Sequence, residues 1–417
     1  MRPQLYETSL LGMGIMAGPD LQAFLHATTS ARAFGHAAWR VALHVVDLVT
    51  SRRGMQLVNG PALVARLLKS ADDRGVRVWT DAPATGLVTD DGRVTGAVLG
   101  TAGGDTTVRA RRGVLLAAGG FPHDVARRRA LFPRTPTGRE HWTLAPPSTT
   151  GDGVRMGESV GAAFDAALAA PAAWCPVSLV PYRSGRVGTY PHIVDRGKPG
   201  LIGVLSTGRR FVNEADGYHQ YTAAMIDAAP EGEEVASWLV CDHRFQRRYP
   251  FGMAKPFPIP AWPYVRSGYL TRARTVRELA ARCGIDPDGL ETTVVEFNRH
   301  ARAGRDPDFG RGDSPFNRGS GDPEHGPNPC LAPIETAPFY AVKVLPGSFG
   351  TFAGLRTDPS ARVLDTSGAP VPGLYAAGSD QASVMGGHYP SGGINIGPAM
   401  TFGYVAGRHA AGVTAYE

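Results

Sequence analysis

Three residues near the C-terminal end of the chain offer useful chemical groups at a spacing of two. Tyr389 supplies a phenol, Ser391 a hydroxyl and Gly393 a backbone amide with no side chain over it. A phenol and a backbone N–H that converge on one point can polarise a ketone by donating hydrogen bonds to its oxygen. From these residues alone two interpretations stay open. One is a carbonyl-binding site, and the other is a glycine-rich turn whose tyrosine is structural.

The segments on either side of this loop predict a strand before it and a helix after it. Residues 374–377 form a short apolar run that ends at Gly378, which is typical of a buried strand. Pro398 is expected to open an amphipathic helix, because proline is favoured in the first helical turn. The N–H groups at a helix start are unpaired and the helix dipole is positive there, so this arrangement favours an anionic ligand group.

Composition limits the classes of function. The chain has 417 residues, which predicts two domains with a sizeable core. The net charge of +6 is small and the basic residues are scattered, which argues against a nucleic-acid partner. The four cysteines are far apart, without a C-x-x-C pair, as expected for a protein of the reducing cytoplasm rather than a zinc or disulfide protein. No apolar run approaches the ~18 residues of a membrane span, and we expect no integral membrane segment.

The first half of the chain reads as helices followed by short strands. Residues 1–53 have a helical apolar period, and the G-x-G-x-x-A match at 12–17 lacks the flanking strands of a dinucleotide fingerprint. A second helix is expected from Asn59. Alternating apolar residues then predict strands at 76–80, 85–89, 94–99 and 106–110, and an apolar run at 114–118 predicts a buried strand ending in A-G-G. The Gly- and Pro-rich tract 304–329 predicts a long surface loop.

The C-terminal stretch also carries a family resemblance. The motif G-L-Y-A-A-G, followed by Y-P-S-G-G-I-N-I-G-P-A-M-T-F-G, resembles the flavin-binding motif of FAD-dependent 3-ketosteroid dehydrogenases, which belong with the fumarate reductase and succinate dehydrogenase flavoproteins. The resemblance implies FAD and an α/β fold, in which a two-dinucleotide-binding-type domain with a β-meander carries an inserted α+β catalytic cap domain. The implied divisions are a helical segment at 1–53, an FAD-binding domain at 54–165 and 340–417, and a cap domain at 166–339.

The resemblance also implies which residues lie near FAD. It places backbone groups at Ala84 against the adenine and the A-G-G turn near the dinucleotide, and it places the amides before the last helix at the flavin edge. The implied cofactor-binding residues are Ala84, Ala118, Gly119, Gly120, Gly151, Asp152, Gly378, Ser379, Asp380, Ile394, Asn395 and Ile396. The family begins with a βαβ unit of about 30 residues that holds the pyrophosphate. Nothing in this sequence matches that unit, so we expect an FAD-binding domain truncated at its N-terminus.

The family's reaction assigns roles to four residues. Removing hydrogens from two carbons beside a ketone requires a polarised carbonyl, a base for the α proton and a hydride acceptor. By resemblance, Tyr389 and the Gly393 N–H bind the ketone oxygen. Tyr218, which follows the family-like segment G-R-R-F-V-N-E, is the expected base, with Ser391 as a relay. Alternatively, Tyr218 only packs on the flavin, or a neighbouring histidine, His219 or His388, is the base.

One position separates possible substrates. Fumarate-reductase-type members carry an arginine before the double glycine of this loop, where it clamps a substrate carboxylate, and this chain has Pro390. The sequence therefore predicts an enzyme, an FAD-dependent dehydrogenase that desaturates a carbon–carbon bond beside the ketone of a steroid-like small molecule. Its electron acceptor is not determined. Two alternatives remain: a non-catalytic fragment or partner subunit without flavin, and an ene-reductase of the fumarate reductase type.

Overall fold

The computed structural model describes residues 12–16, 18–27, 30–182 and 184–413. Its helices are α1 Pro19–Leu25, α2 Ala31–Ser51, α3 Asn59–Asp72, α4 Val125–Leu131, α5 Asp152–Ser159, α6 Tyr218–Ala228, α7 His243–Arg248, α8 Trp262–Arg266, α9 Val276–Cys283, α10 Pro287–Arg302, α11 Pro315–Ser320 and α12 Ile396–Ala410. Its strands are β1 Ala84–Asp90, β2 Arg93–Thr101, β3 Gly104–Arg109, β4 Val114–Leu116, β5 Trp142–Thr143, β6 Phe164–Asp165, β7 Ala172–Pro181, β8 Val187–Pro191, β9 Leu201–Val204, β10 Ser237–Cys241, β11 Thr271–Ala273, β12 Phe339–Thr351, β13 Gly354–Leu355, β14 Arg362–Leu364 and β15 Pro370–Ala376. None of these helices combines the length and the apolar character needed to cross a bilayer.

The chain forms two compact units. One contains Met1–Thr80 and Arg247–Pro260, and the other contains Asp81–Gln246 and Ala261–Glu417. The division predicted from the family resemblance, at residues 54, 166 and 340, stays a prediction.

The first unit contains the helices α1, α2 and α3, joined by loops, within its described residues. The expected helical character of the N-terminal region is confirmed by α1 and α2, and the N–H of Ala33 donates to the Ser30 hydroxyl at the start of α2. Residues 12–16 form a loop that leads to α1 rather than the turn of a dinucleotide fingerprint, and Ala17 lies outside the described residues. The predicted strand at 76–80 is wrong, since this segment has no regular structure and pairs with no described strand.

A three-stranded meander opens the second unit. Strands β1, β2 and β3 pair antiparallel in that order, which confirms the strands predicted at 85–89, 94–99 and 106–110. The β1–β2 turn contains Asp91 with a φ of 44°, a conformation that aspartate tolerates in two-residue hairpin turns. A second small sheet has the order β14–β15–β4. In it, β15 runs parallel to β4, with Ala376 beside Leu116. Both strands therefore deliver their C-terminal ends to the same edge of this sheet.

The larger sheet of the second unit is built around β12. Its order is β8–β7–β12–β10–β9, and β11 and β5 also pair with β12. Helices α9 and α10 cover β9, β10 and β12 through a core that includes Ile202, Leu279 and Phe297. The N–H of Glu278 donates to the Thr275 hydroxyl at 3.1 Å, so this threonine caps α9. Strand β12 is 13 residues long and continues past the core to Thr351, at the candidate site described below.

The tract 304–329 is not the surface loop that its composition predicts. It contains α11, and its residues Asp306, Arg311, Asn317, Asp322 and Asn328 are buried. The Arg311 guanidinium contacts Glu214 and donates to the carbonyls of Leu201, Arg196 and Lys198. Glycine and proline describe the path of a backbone and not its burial, so composition alone misses a segment held by buried polar contacts.

Candidate active site

The Gly-rich loop connects β15 to α12, as the sequence predicts. After β15 the chain makes a short 3-10 turn at Gly378–Asp380, and neither helix nor strand runs between residues 382 and 395. Helix α12 begins at Ile396, two residues before the expected Pro398. The Gly397 N–H donates to the Gly393 carbonyl at 2.7 Å and closes a turn ahead of the proline. Proline is tolerated there because its missing N–H has no helical partner to lose.

Tyr389 is buried in this loop against a cluster of apolar side chains. Its relative exposure is 9%, and it packs with Ala173, Phe352 and Ile394. Its phenol oxygen lies 2.5 Å from the phenol oxygen of Tyr218, and the two rings meet edge to face with centroids 5.0 Å apart. The structure thus brings together two of the four residues predicted to be catalytic.

Tyr218 is placed by the segment that precedes it. It is the first residue of α6, and four residues earlier Glu214 is fully buried in a cluster of charges. Arg210 pairs with Glu214 and with Asp306, and its four hydrogen bonds to the two carboxylates are all 2.8 Å long. This explains the G-R-R-F-V-N-E pattern physically, because its arginine and glutamate anchor the turn from which the Tyr218 ring projects.

The two phenols have different electrostatic surroundings. Burial raises the pKa of Tyr389 well above its ordinary value, and the hydrogen bond with Tyr218 raises it further. Burial also raises the pKa of Tyr218, but here the hydrogen bond with Tyr389 acts in the opposite direction. The pKa of each phenol is therefore raised, and both are protonated near neutral pH.

The other two predicted catalytic residues lie on the loop surface. Ser391 is exposed, and within the described part of the chain no hydrogen bond joins its hydroxyl to Tyr218. The relay through Ser391 is therefore not present in this structure. Gly393 has a φ of 96°, and a Cβ added there would meet nothing within 4 Å, so space is open beside its backbone.

A cleft lies beside this loop. Five residues that line it are Gly378, Ser379, Ile394 and Asn395 from the predicted cofactor set, together with Pro398. The cleft is also lined by Thr351, Phe352, Gln381, Ala382, Ser383 and Val384. Ile396 is exposed at the start of α12.

The carboxylate of Asp380 is bonded to backbone N–H groups of the protein and does not line the cleft. It is fully buried and accepts hydrogen bonds from the N–H groups of Ala118 at 2.5 Å and Gly120 at 2.9 Å. Burial raises its pKa, an effect that these two bonds oppose. A Cβ on Gly153 would lie 2.3 Å from this carboxylate, so α5 also closes on it. Asp380 thus joins the A-G-G turn to the C-terminal loop.

The remaining predicted cofactor residues lie on the same unit, with Gly151 buried and Ala84 and Asp152 exposed. Gly119 follows Ala118 in the turn, with a φ of 94°. Gly151 precedes α5, and Asp152 at its first position pairs with Arg155. Ala84 is the exposed first residue of β1 and pairs with Leu99.

Sequence reasoning missed the part of the site that comes from β12 and β7. Phe349 lies edge-on to Tyr218 with ring centroids 5.3 Å apart, and Thr351 and Phe352 line the cleft. On β7, the N–H of Trp174 donates to the ring of His219. A usable signal exists for β12 only, where the alternating glycines and aromatics of G-S-F-G-T-F-A-G suggest close backbone packing.

Three comparisons with known proteins agree with this geometry. The profile of the FAD binding domain family matches residues 11–396. The chain is 40% identical over 414 residues to a 4-oxocyclohex-2-ene-1-carboxylate 5-dehydrogenase of Sinomonas cyclohexanicum, covering 99% of this chain and 70% of that one. It is 39% identical to a 3-oxosteroid 1-dehydrogenase of Mycolicibacterium smegmatis, covering 85% of this chain and 62% of that one.

A solved structure confirms the fold. The crystal structure of 3-ketosteroid delta1-dehydrogenase from Sterolibacterium denitrificans, in complex with 1,4-androstadiene-3,17-dione, matches with a TM-score of 0.87 and 35% identity. The match covers 98% of this chain and 73% of that chain. The expected α/β flavoprotein fold is therefore confirmed. The chain spans 62–70% of the length of the two curated relatives.

The described residues fit the flavin end of FAD. The amides of Asn395 and Ile396 precede the hydrogen bonds of α12 and lie at its positive end, where a developing negative charge is stabilised. Gly378, Ser379 and Asn395 line the cleft beside this helix start.

Proposed function

This chain belongs to the FAD binding domain family together with the 3-oxosteroid 1-dehydrogenases, and we propose that it is itself a dehydrogenase of this type. It desaturates a carbon–carbon bond next to the ketone of a ring substrate. The observation that carries this proposal is the 2.5 Å contact between the phenol oxygens of Tyr218 and Tyr389. A ketone oxygen and its α carbon are only two bonds apart, so the group that binds the oxygen and the base for the α proton must be close neighbours.

Tyr389 and Gly393 bind the ketone oxygen in this proposal. The raised pKa of Tyr389 keeps its phenol protonated, so it can donate a hydrogen bond to the negative charge that develops on the oxygen. The open space beside the Gly393 backbone lets a substrate approach its N–H.

Tyr218 takes the α proton. Its oxygen lies 2.5 Å from that of Tyr389, and once the single Tyr389 proton is donated to the ketone oxygen, the Tyr218 oxygen is the neighbouring group left to accept the α proton. A phenol with a raised pKa is a strong base once ionised, but only a small fraction is ionised near neutral pH. The assignment therefore requires activity to increase in alkaline solution.

FAD is the cofactor, and when bound it supplies the acceptor for the hydride of the β carbon. The groups of this chain that hold it are the amides of Asn395 and Ile396, the backbone at Gly378 and Ser379, and the A-G-G turn that Asp380 secures.

The substrate is a ring ketone and does not have to be a dicarboxylate. Pro390 stands where the fumarate-reductase-type arginine would be, and the surroundings of Tyr389 are apolar: Leu168, Ala173, Phe349, Phe352 and Ile394. The two relatives described above are named as enzymes that act on 3-oxosteroids and on an oxocyclohexene carboxylate. We therefore propose a substrate range of 3-ketosteroids and smaller oxocyclohexanes.

The proposal is tested by assaying the protein, supplied with FAD, with 4-androstene-3,17-dione and with 4-oxocyclohexanecarboxylate, using a dye as electron acceptor. We expect turnover of at least one ketone and a loss of about 10²-fold or more in kcat/KM for Tyr389→Phe. Full activity of Tyr389→Phe would refute the carbonyl-binding assignment.

The same material separates the two alternatives. A yellow protein that releases FAD when denatured excludes a partner subunit without flavin, whereas a colourless protein after FAD addition supports it. Dye-linked oxidation of the ketone with no reduction of fumarate or acrylate excludes the ene-reductase, against which Pro390 already weighs.

A further inference from the structure

Three consecutive residues at the start of α6 all contact Tyr389. The Tyr218 hydroxyl meets its phenol oxygen at 2.5 Å, and the His219 ring stacks on its ring with centroids 5.5 Å apart and a 27° interplanar angle. The Gln220 side-chain amide donates to its carbonyl at 3.4 Å. Successive residues of a helix point in different directions. A single residue can meet three of them only because it lies against the end of the helix.

The hydrogen bonding of His219 fixes which of its ring nitrogens carries the proton. The backbone N–H of Trp174, on β7, donates to Nδ1 at 3.1 Å within the core. Nδ1 is therefore the acceptor and Nε2 carries the hydrogen in the neutral ring. His219 has a relative exposure of 8%, and protonating Nδ1 would break this bond and leave the Trp174 N–H buried without a partner.

The surroundings of His219 also oppose a positive charge. Burial, and secondly the nearby His388, lower its pKa to about 4. Tyr389, stacked on it, keeps its proton because its own pKa is raised, and so supplies no compensating negative charge. Phe352 contributes an apolar ring with its centroid 6.0 Å away.

We propose that His219 is a positioning residue for the reaction, which holds the Tyr389 ring in register as a neutral stacking partner and takes no part in proton transfer. This rests on the proposed function of Tyr389. The loop that carries Tyr389 has neither helix nor strand between residues 382 and 395, so the ring depends on side-chain packing for its position. The bond from Trp174 fixes the imidazole, and the imidazole in turn fixes one face of the phenol.

Two variants of His219 each remove one of its two contacts. His219→Asn keeps an acceptor near the position of Nδ1 and loses the stacked ring. His219→Phe keeps a ring and loses the acceptor. We expect kcat to fall roughly tenfold in both, with KM changed less than twofold, since a small displacement of a donor affects the transition state more than substrate binding. The matched control is His300→Asn on α10, whose ring is hydrogen-bonded to the neighbouring Arg299, and it should be indistinguishable from the parent.

Two readouts report on His219 independently of the rate. The long-range ¹H–¹⁵N spectrum of histidine-labelled protein should show the neutral Nε2–H form of His219 at every pH from about 5 to 8. The pH profile of kcat/KM should keep its shape in both variants. An imidazolium or Nδ1–H form in that range, or a profile inflection that disappears in His219→Asn, would overturn the proposal.

Comparison with Tyr389→Phe distinguishes a failure of the positioning role of His219 from a failure of the proposed function. If Tyr389→Phe is inactive while both His219 variants turn over at the parent rate, the positioning role is wrong and the function of Tyr389 stands. If Tyr389→Phe retains full activity, the proposed function fails first, whatever the His219 variants do.

Discussion

Tyr218 and Tyr389 are 171 positions apart in the chain, and their phenol oxygens are 2.5 Å apart in the structure. The first begins α6, and the second lies in the loop before α12. Each is held by its own surroundings: Tyr218 by the charge cluster around Glu214, and Tyr389 by the apolar cluster that includes Phe352 and Ile394. The fold of the chain alone therefore brings the two phenols together.

The pH dependence of the reaction should identify the base. Burial raises the pKa of Tyr218 above its ordinary value of 10, so at neutral pH its ionised fraction grows about tenfold for each pH unit. We expect kcat/KM to rise by about 10²-fold between pH 7 and 9 and to be strongly reduced in Tyr218→Phe. A profile that is flat above pH 5 would instead indicate a base with a low pKa.

Gly393 should be required for its backbone conformation. Its φ of 96° is one that residues with a side chain rarely adopt, although a Cβ there meets no neighbour. Gly393→Ala should therefore reduce kcat/KM about tenfold or more by turning the N–H away from the ketone, with little change in melting temperature. Gly392→Ala is the matched control, because Gly392 also has open space but no positive φ. Equal activity of the two variants would contradict the role of the Gly393 amide.

Loss of the Glu214 charge should destabilise the protein in a pH-dependent way. Burial alone would raise the pKa of Glu214, but Arg210 and Arg311 lower it to about 2, from 4.5. A carboxyl whose folded-state pKa is lowered contributes stability above its unfolded pKa and loses it as the pH falls toward the folded value. Glu214→Gln should cost about 3 kcal/mol in the free energy of unfolding at pH 7. The difference from the parent should shrink between pH 4.5 and about 2 in denaturant titrations.

Glu335→Gln serves as the control for that measurement. Glu335 pairs with Arg244 and Arg302 at the surface, where ion pairs contribute about 0–1 kcal/mol. A loss in Glu214→Gln no larger than in this control would mean that the buried cluster does not hold α6 in place.

Substitutions of Asp380 should weaken both the binding of FAD and the stability of the protein. Replacing it with alanine leaves the Gly120 N–H buried without an acceptor, which costs about 1–3 kcal/mol in the free energy of unfolding. Asp380→Asn keeps one acceptor and should lose less. Burial raises the folded-state pKa of Asp380. Protonation of this carboxyl therefore contributes its whole share of the free energy of unfolding below pH 3.8, and this contribution is lost as the pH rises through the folded-state pKa. Fluorescence titration with FAD should show weaker binding in the order parent, Asn, Ala, and unchanged affinity in all three would contradict the linking role.

Elements that depend on local sequence pattern were predictable, whereas features that depend on tertiary contacts were not. The meander β1–β3 and the strand–loop–helix unit of β15 and α12 were predictable, because alternation, tight-turn residues and a glycine loop act over a few neighbouring positions. The strand predicted at 76–80 has the same alternation but no described partner, and a strand obtains its hydrogen bonds only from another strand. The tract 304–329 reads as a loop, but several of its polar side chains are buried in contacts with distant residues.

The sequence by itself determined the family, FAD as the cofactor and the presence of two tyrosines suited to a ketone, because motifs record residue type and spacing. Only the tertiary structure decided that these tyrosines share a hydrogen bond, that His219 stacks on one of them and that the Asp380 carboxylate is used within the protein. The physical reason is distance along the chain. Hydrogen bonds and ring contacts between residues some 170 to 260 positions apart depend on how β7, β12, β15 and α6 pack, and no local pattern encodes that packing.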